Sequence, residues 1–140
     1  HIVVLGRSLG SHVAVSLAAQ RPVRAAILTT PFDSLAALGE RRYPLLPVGL
    51  LLGGRYDSAA LAPMISVPGL FVIAADDEVT PPPHGEALAL AWAGPKKLVS
   101  LPGGHRSVEW RQEYWRAVAE FLRAIGPAQG RLEEAGMVQK

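Results

Sequence analysis

The sequence alternates short apolar segments with longer helical patterns, and this alternation restricts the folds that are open to the chain. The apolar segments are rich in β-branched residues and have the length of buried strands. Strands that alternate with helices form a mostly parallel sheet with helices on both faces. The sequence therefore predicts an α/β domain of about four strands, at residues 2–6, 23–28, 69–75 and 97–101.

Helical patterns follow the first, third and fourth predicted strands, at about residues 9–20, 81–93 and 108–125. In the first helix two adjacent rows are predicted to pack inward, namely the larger Leu9, Val13 and Leu17 and the small Gly10, Ala14 and Ala18. The last helix is predicted to have Ser107 as its N-cap and to bury a stripe made of Tyr114, Val118, Phe121, Leu122 and Ile125.

The segment between the second and third strands differs from the rest of the chain. It carries no strand pattern, and Pro44, Pro47 and the glycine pair 53–54 divide residues 35–62 into short helical pieces. We expect it to form an excursion above the strands, with Asp33 and Ser34 as helix caps. Residues 1–125 then form one α/β unit. Residues 126–140 are predicted to be a flexible tail.

The first predicted strand opens the chain, directly after His1. A buried strand is an unusual start for a natural chain, so we expect the N-terminal strands of a larger domain to be missing. The strand at residues 2–6 would then leave backbone N–H and C=O groups unpaired along one edge. Such an edge favours self-association with a second chain.

Composition argues against several classes of function. The chain has no cysteine, which excludes disulfides and thiolate metal sites and favours a reducing compartment such as the cytoplasm. Its net charge is only +2 and its basic residues form no long run, so no nucleic-acid partner is expected. No apolar stretch is long enough to cross a bilayer.

The residues Gly6-Arg7-Ser8-Leu9-Gly10 form a G-x-S-x-G sequence between a predicted strand and a predicted helix. This is the context of a nucleophile elbow, a sharp turn that lifts the serine hydroxyl above the sheet. We expect both glycines to be required because a side chain at either position would clash. The backbone N–H of Leu9, at the start of the helix, is predicted to stabilise an oxyanion. The alternative interpretation is a glycine-rich turn in which Ser8 merely caps the helix.

A serine hydroxyl becomes a strong nucleophile only when a base takes its proton. His105 is the best candidate, because it follows the fourth strand on a glycine-rich loop, at the sheet edge where ligand chemistry gathers in parallel sheets. His12 lies in the helix after the elbow, and its side chain is expected to point away from Ser8. His84 starts a later helix and is expected to be solvated.

The third member of a catalytic triad is an acid that orients the histidine. Asp76, Asp77 and Glu78 follow the third strand at the same edge of the sheet. Glu78 is interpreted as part of a solvated turn, whereas position alone leaves the two aspartates open. A metal site made of Asp76, Asp77 and His105 lacks the ligand spacing of known sites, and no cofactor is implied.

Four segments resemble the α/β-hydrolase superfamily: Gly-Arg-Ser-Leu-Gly-Ser from residue 6, Thr-Pro-Phe-Asp-Ser from residue 30, Asp-Glu-Val-Thr-Pro from residue 77 and Pro-Gly-Gly-His from residue 102. The likeness covers residues 1–125. It is nearest to serine hydrolases related to prolyl oligopeptidase and dienelactone hydrolase, including many α/β-hydrolase domain-containing proteins. The order serine, acid, histidine along the chain is that of the superfamily.

This resemblance implies a role for each site residue. It makes Ser8 the nucleophile and His105 the base, and it selects Asp77 as the acid because the family's acid directly precedes x-x-[Val/Thr]-Pro. It implies a partial α/β-hydrolase fold in which residues 31–62 form a small cap lining the substrate pocket. The family's His-Gly type motif, which supplies a second oxyanion donor before the elbow strand, is absent from this sequence.

The sequence therefore predicts a serine hydrolase that cleaves an ester, thioester or amide through an acyl-enzyme. An apolar cap favours a small uncharged acyl substrate, and the residues that suggest it are Leu45, Leu46, Leu50 and Leu51. The same triad would support acyl transfer to an acceptor other than water. A non-catalytic binding protein on this fold is the third reading, although such a protein has no need of all three triad residues.

Overall fold

A computed structural model describes residues 2–126 of the chain. Its four strands form one parallel sheet in the order β1-β2-β3-β4, so spatial order follows chain order. This confirms the predicted α/β architecture, and each strand begins and ends within two residues of its predicted bounds. The strands are β1 (Val3–Arg7), β2 (Ala25–Thr29), β3 (Gly69–Ala74) and β4 (Lys96–Leu101).

Within residues 2–126, six α-helices cover or cap the sheet, and two single turns of 3-10 helix occur at 62–64 and 108–110. None of the helices within residues 2–126 has the length and apolar character needed to cross a membrane. The α-helices are α1 (Leu9–Gln20), α2 (Leu35–Arg42), α3 (Val48–Leu52), α4 (Ser58–Leu61), α5 (Pro82–Ala91) and α6 (Gln112–Ala124).

The sheet separates two apolar cores. The first core lies under α1 and α5, where Val15 and Trp92 pack against Leu28 and Phe71 of the central strands. The second lies under α6, and its buried side chains include Ile27, Val72, Tyr114 and Phe121. Because β2 and β3 are covered on both faces, every residue of these two strands is buried.

The packing face predicted for α1 was wrong in part. Leu9, Val13 and Leu17 are 51%, 60% and 41% exposed, whereas the buried residues of α1 are Ser11, Ala14 and Val15. The physical reason is the close approach of α1 to β1. A Cβ atom built on Gly6 would lie 2.8 Å from the Cβ of Ala14, so only small side chains fit this interface. The predicted row of small residues, rather than the row of large ones, therefore faces the sheet.

The start of the last helix also differs from the prediction. Ser107 precedes a 3-10 turn rather than α6, and its Oγ accepts a hydrogen bond from the Gly104 N–H instead of capping a helix. The helix itself begins at Gln112, after Arg111. Its stripe is buried at Tyr114, Val118 and Phe121, but Leu122 is exposed and Ile125 is only partly buried.

The segment between β2 and β3 is a series of short helices, as predicted, but the prediction of Asp33 as a helix cap was wrong, since its Oδ1 accepts a hydrogen bond from the Ser34 N–H instead. Ser34 caps α2 by accepting a hydrogen bond from the Ala37 N–H, and Asp57 caps α4 in the same way through Ala60. A single antiparallel bridge joins Ser34 to Asp57 and closes the segment at its base. Of the predicted tail at 126–140, residues 127–140 lie outside the described part of the chain.

Candidate active site

The turn between β1 and α1 has a strained backbone at Ser8. Ser8 has φ 51° and ψ −123°, a backbone conformation that side chains rarely adopt. Its N–H donates to the Thr29 carbonyl at the end of β2, which fixes the turn at the edge of the sheet. Of the two flanking glycines only Gly6 is required, since a Cβ at Gly10 would meet no described atom within 4 Å. The expected clash at Gly10 was therefore wrong.

The Ser8 hydroxyl makes no capping hydrogen bond to α1, which disagrees with a helix-cap role. Its Oγ lies 2.9 Å from Nε2 of His105, which is 97 positions further along the chain. Leu9 is the first residue of α1, and the N–H groups of a helix's first turn have no intrahelical acceptor. The turn therefore presents the Ser8 hydroxyl beside the N–H groups at the start of α1.

His105 lies on the loop between β4 and α6, with its side chain 11% exposed. Its Nδ1 lies 2.8 Å from Oδ2 and 3.0 Å from Oδ1 of Asp77. Because an ionised carboxylate only accepts hydrogen bonds, these contacts assign the proton to Nδ1. Nε2 is then an acceptor, and the Ser8 O–H donates to it. The three side chains form one continuous chain of hydrogen bonds.

The side chain of Asp77 is only 1% exposed, and its carboxylate is held by its own loop. Oδ1 accepts hydrogen bonds from the backbone N–H groups of Val79 and Thr80, and Oδ2 accepts one from the Thr80 hydroxyl. These donors fix the orientation of the carboxylate plane and stabilise its charge. The carboxylate is thus held in place for its contacts with Nδ1 of His105.

Asp76 and Glu78 are exposed, and neither contacts the imidazole of His105 within the described structure. Asp76 instead forms hydrogen bonds with the backbone of Gly103. Its backbone N–H donates to the Gly103 carbonyl, and its Oδ2 accepts from the Gly103 N–H. Asp76 therefore joins the loop after β3 to the loop that carries His105.

Two residues near the site were missed by the sequence analysis. Thr80 appeared there only as part of the x-x-Thr-Pro pattern, yet its Oγ1 lies within 3.2 Å of both Asp77 Oδ2 and His105 Nδ1. Arg7 occupies a variable position of the elbow motif, and its Nη2 donates to the His105 carbonyl at 2.7 Å. No sequence signal indicated the Arg7 contact, because it depends on two loops meeting in space.

A polar pair lies beneath the elbow. The Tyr114 hydroxyl and Thr29 Oγ1 are 2.9 Å apart and buried, and Thr29 is the residue whose carbonyl accepts the Ser8 N–H. Burial raises the pKa of Tyr114 above its ordinary value, and the hydrogen bond with Thr29 acts in the opposite direction. The phenol therefore stays neutral and links α6 to the end of β2.

The other described histidines lie outside the hydrogen-bonded chain. His12 contacts Ser58 and Ser16, and burial lowers the pKa of His12 although the nearby Asp57 opposes the shift. The expectation that His84 is solvated was wrong. Its side chain is 12% exposed, and its Nδ1 lies 2.8 Å from Oδ1 of Asp33, so it ties α5 to the segment between β2 and α2.

A cavity of about 660 Å³ opens beside the site, on the Asp77 side. Its lining differs from the expected leucine cap, because Leu45, Leu46, Leu50 and Leu51 are exposed and do not line it. No group of three or more potential metal ligands occurs among residues 2–126. The cavity is lined by Leu38, Arg41, Arg42, Asp77, Glu78, Val79 and Pro81.

Solved structures of similar fold include proteins named as hydrolases and esterases. A hydrolase from Pseudomonas aeruginosa is 27% identical with a TM-score of 0.65, over 85% of this chain and 63% of that one. An α/β hydrolase from a sediment metagenome of the Mar Chica lagoon is 20% identical with a TM-score of 0.69, over 89% and 62%. The chain has part of the α/β-hydrolase fold. An acetyl xylan esterase from Thermoanaerobacterium has a TM-score of 0.70 at 18% identity, over 89% of this chain and 45% of the esterase.

Sequence relatives extend the comparison. Two curated proteins from Mycobacterium tuberculosis, of strains CDC 1551 and H37Rv, are both named as uncharacterized and are 41% identical to the chain over 109 residues. The match includes 77% of this chain and 39% of each relative, so the chain spans about two fifths of their length. No protein-family model matches the chain. The α/β-hydrolase assignment thus rests on fold.

Proposed function

We propose that the protein is a serine hydrolase that cleaves an ester, thioester or amide, with Ser8 as nucleophile, His105 as base and Asp77 as acid. One observation carries the proposal, namely the continuous hydrogen-bonded chain from Ser8 Oγ through the imidazole to the Asp77 carboxylate. The strained Ser8 backbone adds support, since strain of this kind clusters at functional sites.

The reaction begins when Nε2 of His105 takes the Ser8 proton while Oγ attacks the carbonyl carbon of the substrate. The imidazolium that forms is stabilised by the buried Asp77 carboxylate. It then gives the proton to the leaving group, which departs and leaves an acyl group on Ser8. A water molecule, deprotonated by His105, then attacks this ester, the imidazolium returns the proton to Ser8 Oγ as the ester bond breaks, and the free acid leaves.

The negative charge on the carbonyl oxygen needs donors that are in place before the reaction. We propose the Leu9 N–H as one donor, because it is at the N-terminus of α1 and directly follows the nucleophile. The helix dipole favours an anion at the same place. The upstream motif that supplies a second donor in the superfamily is absent from this sequence.

The same proposal includes the branch of the α/β-hydrolase superfamily and the class of substrate. The motifs after β2 and β3 favour the branch related to prolyl oligopeptidase and dienelactone hydrolase. Structures of similar fold include proteins named as esterases and an enol-lactonase, which agrees with ester substrates. The leucines that suggested a small uncharged acyl group do not line the cavity, and fold alone does not choose the acyl group.

A fluorophosphonate probe tests the nucleophile directly. We expect the probe to label Ser8, identified by peptide mass spectrometry, and Ser8→Ala to abolish both labelling and hydrolysis of p-nitrophenyl acetate. Ser58 is a matched control because its Oγ also lies 3.0 Å from a histidine nitrogen, that of His12, but it is fully buried. Ser58→Ala should keep the label. Labelling that survives Ser8→Ala would refute the proposal.

A further inference from the structure

Arg7 is the residue directly before the nucleophile, and its guanidinium reaches the loop that carries the base. Its Nη2 donates to the backbone carbonyl of His105 at 2.7 Å, between residues 98 positions apart. Its Nε lies 3.1 Å from Oε2 of Glu109. This contact is an ion pair without hydrogen-bond geometry at Nε. One side chain thus contacts the β4–α6 loop at two points.

That loop has little regular structure of its own. Between Leu101 and Gln112 it contains one turn of 3-10 helix, at 108–110. Besides the side-chain contacts of His105 and the buried Val108, the loop is linked to the sheet edge at Gly103, which Asp76 holds through two hydrogen bonds. Segments with few regular hydrogen bonds open at low free energy, so the place of His105 depends on such individual contacts.

We propose that Arg7 is a positioning residue, which joins the strand of the nucleophile to the loop of the base and so sets the distance from Ser8 Oγ to His105 Nε2. This inference rests on the proposed function of Ser8 and His105. Arg7 and Ser8 are adjacent in the backbone, and the acceptor is the carbonyl of His105 itself. The contact therefore ties together the two residues between which a proton must pass.

A simple surface ion pair would not have this effect. The Arg7 and Glu109 side chains are 34% and 30% exposed, and exposed pairs contribute little to stability. The distinguishing contact is the charge-assisted hydrogen bond to the His105 carbonyl. A lysine carries the charge but lacks the rigid fork that serves two acceptors in fixed directions. We therefore expect Arg7→Lys to recover only part of the function of Arg7.

The test compares Arg7→Met with the same substitution at a second arginine, Arg111→Met. Arg111 also pairs with a glutamate, since its Nε lies 3.7 Å from Oε2 of Glu113, but it does not contact the site. We expect Arg7→Met to lower kcat for p-nitrophenyl acetate about 10- to 100-fold, as expected for a misplaced catalytic group, with KM within about twofold. Arg111→Met should match the wild type, and Arg7→Lys should lie between the two.

A second measurement does not depend on hydrolysis. The Nδ1–H proton of His105, hydrogen-bonded to Asp77, should give a downfield NMR resonance that broadens in Arg7→Met and stays sharp in Arg111→Met. If the wild type hydrolyses nothing and Ser8 takes no label, the proposed function fails, while this resonance still decides the role of Arg7. An unchanged resonance in Arg7→Met would overturn the inference.

The remaining outcomes are equally decisive. Unchanged kcat in Arg7→Met, or an equal loss in Arg111→Met, would show that Arg7 has no special link to the site. Should Arg7→Met fail to fold, Arg7→Lys and Glu109→Gln carry the test. Glu109→Gln keeps the bond to the His105 carbonyl, so its loss of kcat should be smaller than that of Arg7→Lys. A larger loss would assign the effect to the ion pair instead and overturn the inference.

Discussion

Replacing Asp77 by asparagine tests the geometry of the site most sharply. The Oδ1 atom of Asp77 accepts two backbone N–H groups, from Val79 and Thr80. An asparagine would keep its carbonyl oxygen at this position, because an NH₂ group there would face two donors. Its NH₂ group would then replace Oδ2, the oxygen 2.8 Å from Nδ1 of His105.

The exchange reverses the proton on the imidazole. An NH₂ group at the Oδ2 position donates, which favours Nδ1 of His105 as acceptor with the ring proton on Nε2, in competition with donation from Nδ1–H to the retained oxygen 3.0 Å away at the Oδ1 position. Nε2 then points a proton at Ser8 Oγ and cannot remove one. In a serine protease this loss of the correct tautomer costs about 10⁴ in kcat. A factor of 10⁴ corresponds to about 5 kcal/mol of transition-state free energy.

The assay is kcat for p-nitrophenyl acetate, with Asp76→Asn as the matched control. Asparagine at position 76 keeps an oxygen that can accept the Gly103 N–H, so we expect a loss of no more than about tenfold, as for a displaced loop. Thermal unfolding of both variants shows whether the fold is kept. A larger loss for Asp76→Asn than for Asp77→Asn would refute the tautomer argument and the choice of acid.

Two further predictions concern the first strand. In denaturant unfolding, Gly6→Ala should destabilise the fold by about 1–3 kcal/mol or more, because its Cβ would lie 2.7 Å from the Gly10 carbonyl carbon. Gly10→Ala should be neutral or stabilise α1 by up to about 1 kcal/mol. The 140-residue chain should self-associate on size-exclusion chromatography through the open edge of β1, where Ile2 and Leu5 are 63% and 55% exposed. Leu5→Lys should reduce this association, and a wild-type monomer would contradict it.

The sequence predicted the parts of the fold that depend on local pattern. Alternating strands and helices gave the parallel sheet, and the placement of Ser8, Asp77 and His105 after strands put all three at one edge. Carboxyl ends of parallel strands share an edge, so three distant residues could be brought together without knowledge of their contacts. Their catalytic roles stay a prediction.

The errors arose where contacts across the fold override local pattern. The row of Leu9, Val13 and Leu17 has helical spacing, but spacing does not show how near a helix lies to its sheet. The glycine at position 6 brings α1 so close that Ala14 takes the inner position. His84 was misjudged for the same reason, since its partner Asp33 is 51 positions away along the chain.

Strand order explains why the position of His105 needs more support than the positions of Ser8 and Asp77. Ser8 follows β1 and His105 follows β4. These two strands lie three strand spacings, or about 14 Å, apart in the sheet. The β4–α6 loop must cross the end of β3, where Asp76 holds Gly103, before it reaches Arg7 beside the elbow. Asp77 lies on the way, directly after β3, and is fixed by its own loop. The position of His105 is therefore set by a few contacts between loops, which is where we expect single substitutions to alter the chemistry without unfolding the sheet.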